Sequence, residues 1–146
     1  MDAGSLTLIH RLISMGSSSL LQYVSESFPW SADPTHIALA RVVTIAHSER
    51  DAVTRLTRLL QKKHLRLPPF GSYPSHFTTM NFVSLDYLLP KLIVEHEKET
   101  SEIEARLHLS DDEEIRKLAQ GYLDLKRGHL QTLKDLTSSP MPAGAA

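Results

Sequence analysis

The chain contains no cysteine, which excludes disulfides, thiolate metal sites, iron–sulfur clusters and a cysteine nucleophile. It also lacks an excess of either charge: 16 Lys and Arg face 17 Asp and Glu, a net −1, so there is no basic field for nucleic acid. No apolar run approaches the roughly 20 residues of a membrane span. The stretch Leu6–Met15 is interrupted by His10 and Arg11, and no small-residue cleavage site follows it, so it does not read as a signal peptide. A location in the cytoplasm, away from membranes, is the expectation. A Gly-rich phosphate loop, a Gly-x-Ser-x-Gly elbow, a His-Glu-x-x-His pair and a calcium loop are all missing.

What remains is a globular composition, 41% hydrophobic and 23% charged, in 146 residues, enough for one domain that buries roughly two-thirds of its unfolded surface. Charge is divided unevenly. Residues 1–73 carry +3 and residues 74–146 carry −4, so the two halves attract weakly when folded together. The end, 138–146, follows Thr137 with small residues and prolines, has almost nothing to bury, and is predicted to be disordered.

Apolar residues recur at helical spacing in four stretches. Over 5–27 the stripe is Leu6, Ile9, Leu12/Ile13, Gly16, Leu20 and Tyr23/Val24, before Phe28-Pro29-Trp30 breaks it. Asp33 is a predicted N-cap with Pro34 at the first helical position, opening a helix over 34–63 that ends in Lys62-Lys63-His64. Its stripe runs Ala38, Val42, Ile45, Glu49, Ala52/Val53, Leu56 and Leu59/Leu60. Residues 65–78 hold three prolines and a glycine, so regular helix is excluded there. The spacing resumes over 79–108, with Pro90 expected to kink or restart the helix. Ser110-Asp-Asp-Glu113 reads as a capping box that opens a last helix over 111–137.

Four helices this long in one short domain predict an all-α antiparallel bundle. The first and last links are short and join antiparallel neighbours. The middle link is long enough to run the length of the bundle, so two antiparallel hairpins joined by a crossover are expected. The crossover is expected to lie against the bundle through Phe70, Tyr73 and Phe77.

Leu20-Leu-Gln-Tyr23 with Pro29-Trp30, Glu49, the crossover, Asn81-Phe-Val-Ser-Leu-Asp-Tyr-Leu-Leu-Pro90 and Lys126-Arg-Gly-His129 together resemble the ferritin-like superfamily, rubrerythrin-like and bacterioferritin-like members included. That resemblance covers 5–137 and implies a ferritin-like four-helix bundle with non-haem iron chemistry, such as ferroxidase or peroxidase activity. By position, Glu49 and His129 match family ligands, and Glu95 or Glu99 a third. The chain departs from the pattern where helix 1 has Gly16–Ser19 instead of a carboxylate, where Ala52 replaces a histidine, and where Lys126 replaces a glutamate.

Each candidate also has a plain reading. Glu49 on an apolar stripe either ligates a metal or pairs with an inward cation. His129 is either a ligand or a hydrogen-bonded core histidine. His96 and Glu99 stand in a charge run of the kind that usually forms a solvated face. Ser17-Ser18-Ser19 either lines a cavity or allows close helix packing. The alternative metal set is Glu49, His96, Glu99 and His129, with iron or manganese as the metal. The favoured reading has no cofactor: Lys126 takes the place of the lost cations, and the bundle serves as a binding or structural protein. A small molecule in the vacated centre is a third reading, and a homodimer is a reasonable expectation because paired bundles are common in the superfamily.

Overall fold

The computed structural model describes residues 1–27, 36–69, 71–80 and 83–138. Among these residues it is all-α, with five α-helices: α1 (Ala3–Ser17), α2 (Leu20–Ser27), α3 (His36–Lys62), α4 (Leu85–Arg106) and α5 (Glu113–Ser138). Short 3-10 turns cover Ser75–Met80 and Leu107–Leu109. The predicted cap at Asp33-Pro34, the break at Phe28-Pro29-Trp30, Phe70 and the tail from 139 lie outside the described residues.

The first predicted helix is two helices, because serine hydroxyls compete with the helix ladder. Ser17 and Ser18 donate back to the Ile13 and Ser14 carbonyls, and Ser19 Oγ accepts from the Gln22 amide at 3.2 Å, as an N-cap does. The serine run therefore ends one helix and starts the next. At the far end of α3, Leu65 N–H donates to Leu60 and His64 N–H to Gln61, a Schellman ending in which His64 takes the left-handed conformation (φ 56°) where glycine is usual.

Two further boundaries differ from expectation. The third long helix starts at Leu85, not Thr79. Ser84 Oγ accepts from the Tyr87 amide there, and Ser75–Met80 is a 3-10 turn. Pro90 lies within the first two turns of α4, which continues through it. The last helix is capped by Asp112, whose carboxylate accepts from the Glu114 and Ile115 amides at 2.9 and 3.4 Å. Ser110, the expected cap, is buried; its hydroxyl bonds to Ser5 at the start of α1 and to the backbone of Asp112.

Pairing follows from contacts along each helix. Gln22 bonds to Ala46 and His10 to the Arg66 carbonyl, so α1 and α2 run antiparallel to α3. Arg127 pairs with Glu104 and Lys134 with Glu97, so α4 and α5 are antiparallel. Gly16 sits where α1 meets both partners: a Cβ there would collide with Val53 Cγ2 and lie 2.7 Å from Tyr122 Oη.

The core has two apolar parts. One joins Leu8–Met15, Ala52–Leu60, Ile103 and Ile115–Leu123. The other joins Leu20–Val24, Val42–Ala46, Leu85–Leu92 and Leu133, with Phe77 of the crossover. Between these two sets lies a level that holds the buried polar side chains Glu49, His96 and Lys126. The crossover docks by aromatic contact: Tyr73 meets Tyr23 edge-on at 5.2 Å, and Phe77 lies 5.5 Å from Tyr23. Phe77→Ala is expected to cost about 3–4 kcal/mol in urea unfolding and to accelerate proteolysis within residues 68–75.

Candidate functional site

The polar level holds Glu49 on α3, His96 and Glu99 on α4, and Lys126 and His129 on α5. Sequence spacing already fixes part of this arrangement, because 96/99 and 126/129 are i, i+3 pairs that share a helix face. The fold then brings both pairs onto Glu49. The Lys126 ammonium, with no solvent exposure, donates to Glu49 Oε1 at 2.8 Å and to Glu99 Oε2 at 3.1 Å. His96 Nε2 and His129 Nδ1 both donate to Glu49 Oε2, at 2.8 and 2.7 Å. All four metal candidates from the sequence are thus in one place, with Lys126 among them. Glu95 is not; it pairs with Lys98 at the surface.

The charge balance of the cluster follows from these contacts. Burial opposes ionisation of Glu49, but Lys126 and the two imidazole hydrogen bonds outweigh it and hold the carboxyl far below the ordinary range. Burial dominates at Glu99, which keeps a 12% exposed side chain, and its pKa rises in spite of Lys126. Burial likewise opposes the charge on Lys126, yet Glu99 and Glu49 raise its pKa above the ordinary lysine value. The stable core of the cluster is therefore one ammonium and one carboxylate, with Glu99 as a second, more easily protonated acid.

Glu49, His96 and His129 each offer a donor atom, and these atoms lie within 4.8 Å of one another. Three such ligands could hold one cation, though Glu49 would have to be shared with Lys126. Helix 1 supplies no donor at this level. Gly16 is packed against Tyr122 and Val53, and Ser17 and Ser18 bond to their own helix. Ala52 is buried in the apolar core.

Two contributors were not legible beforehand. Tyr122 carries no signal of its own in the sequence, yet it stands one turn before Lys126, and its ring centroid lies 5.7 Å from the ammonium. Its hydroxyl is buried with no partner among the described residues, and burial pushes its pKa well up, so the phenol stays neutral. Gln22 is the other. Its amide nitrogen donates to the Ala46 carbonyl and its oxygen accepts from Arg50 at 3.0 and 3.2 Å, fixing α2 against α3 beside the cluster. A lone glutamine on a helical stripe carries no signal for such a role.

Lys126→Met leaves the Glu49 carboxylate buried beside two imidazoles with no ammonium, and is expected to cost about 3–5 kcal/mol in urea unfolding. Adding Glu49→Gln to that variant should restore part of the loss, because the uncompensated charge is then gone. Titration gives a separate expectation. The native state binds the Glu99 proton more tightly than the unfolded chain, whose ordinary value is 4.5. That contribution to stability is complete below pH 4.5 and is lost as pH rises above it. Glu99→Gln should therefore flatten the fall in stability above pH 4.5, read as the urea midpoint between pH 4 and 7. Comparison with family models, with curated proteins and with solved structures finds no match to this chain.

Proposed function

We propose that the chain is a ferritin-like four-helix bundle, α1 and α2 together making its first arm, that acts as a metal-free binding or structural protein. The observation that carries this reading is the position of Lys126. Its ammonium bridges the two inward carboxylates at 2.8 and 3.1 Å with no solvent exposure, which is where a bridging metal would draw charge. Glu49 has both oxygens engaged, one by Lys126 and the other by two imidazoles.

The residues present do not fit a dinuclear metal centre. Such a centre needs several carboxylates to balance two cations, and an ammonium in the same space would repel them. Metal loading tests the reading. Protein purified without chelator, then loaded aerobically with Fe(II), is expected to hold no stoichiometric iron or manganese by elemental analysis. About two irons per chain would overturn it. The donor set Glu49, His96 and His129 favours one second reading, a mononuclear site. One metal per chain, lost in His96→Ala, would establish that reading instead.

A further inference from the structure

A groove of about 580 Å³ separates α3 from α5. Its volume falls within the 300–1,000 Å³ of small-ligand sites, and its floor is apolar, formed by Ala52, Leu56, Leu59 and Leu125. Two features of the α5 wall are unexplained by packing within the chain. Leu118 is 40% exposed on it. Gly121 stands in mid-helix, where alanine is more favourable, and a Cβ there would meet nothing within 4 Å. The bare backbone leaves room for an apolar body to approach α5 closely.

The α3 wall is cationic. Arg55, Arg58 and Lys62 lie along the groove at i, i+3 and i+7, and no carboxylate pairs with any of them among the described residues. On the opposite wall Lys117 adds a cation, held at 3.7 Å by Glu113, and Glu114 is the acid that lines the groove. Cations thus outnumber acids around an apolar trough, which suits an occupant with an anionic head and an apolar body.

The geometry points to the α3–α5 groove as a binding site for a free long-chain fatty acid, its chain lying along Leu59, Leu118, Gly121 and Leu125 and its carboxylate facing Arg58 and Lys62, one turn apart at one end of the groove. An acyl chain matches the apolar trough, and one carboxylate complements the cations of α3. This rests on the reading of the bundle as a binding protein, and the groove meets the Lys126 cluster through Tyr122, which lines the one and touches the other.

Binding of oleate to the intact protein, followed by calorimetry and by displacement of a nitrobenzoxadiazole-labelled stearate, tests it. One oleate per chain should bind saturably at micromolar concentration. Arg58→Glu combined with Lys62→Glu should weaken binding at least tenfold, and oleyl alcohol, which has no charge, should bind at least tenfold more weakly than oleate. Gly121→Leu should fill the groove and abolish binding while the circular dichroism of the helices is retained. If that variant fails to fold, Leu118→Glu at the exposed position serves instead. Absence of saturable binding, equal affinity for oleyl alcohol, or binding unchanged by the groove variants would overturn the proposal. So would a concentration-dependent dimer dissolved by Leu118→Glu, which would make a second copy the occupant, or co-sedimentation with phosphatidylglycerol vesicles without oleate binding. Stoichiometric iron in the metal assay would leave this result standing and remove only the metal-free reading.

Discussion

One carboxylate organises the centre of this molecule. Glu49 is 1% exposed and accepts hydrogen bonds from an ammonium and two imidazoles, so α3 is tied to α4 through His96 and to α5 through Lys126 and His129. A carboxylate of this kind costs several kcal/mol to desolvate, and only well-aligned partners offset that cost. The positions of three helices are therefore set by the requirement that all of Glu49's contacts be made together. Slipping α4 or α5 by one residue would turn His96 or Lys126 off the shared face and leave a charge uncompensated.

The two apolar parts of the core follow from the same requirement. Leucine and isoleucine pack above and below the polar level, and they would tolerate several registers, since hydrophobic burial is non-directional. The ion-pair level is directional. It distinguishes one register among those the apolar stripes permit, a role that buried polar groups also have in coiled coils. Tyr122 joins the level as a neutral phenol with its ring beside the ammonium, adding a cation–π contact without adding charge.

Much of this was legible because helical spacing carries so much information. The stripe containing Glu49 places it inward, and the 96/99 and 126/129 intervals put each pair on one face. The local errors share one cause. Short polar side chains can serve the backbone in several ways, and only tertiary context decides which. Ser110 reads as a cap, but its hydroxyl bonds to Ser5 and to the backbone of Asp112, and Asp112 caps α5. Ser17–Ser19 reads as packing or a cavity wall, and Ser17 and Ser18 do line a small pocket, but the run also ends one helix and begins another. Ser84 ends the ambiguity after the crossover in the same way. The solvated-face reading of His96 and Glu99 failed for a different reason. A charge run shows which residues are polar, but not that a buried cation waits on a neighbouring helix.

The ion-pair level also draws its members unequally from the two sides of the crossover. The segment before it contributes Glu49 alone; the segment after it contributes Lys126, Glu99 and both histidines. Neither segment can bury its share by itself, since the first would hold a naked anion and the second a cation without its main partner. The chain is thus disfavoured from forming half of its structure, and unfolding should be a single cooperative event. The same asymmetry makes the two segments specific for each other: separated at the crossover, they would be expected to recombine as complementary fragments, with the charge of each selecting the other in preference to a second copy of itself.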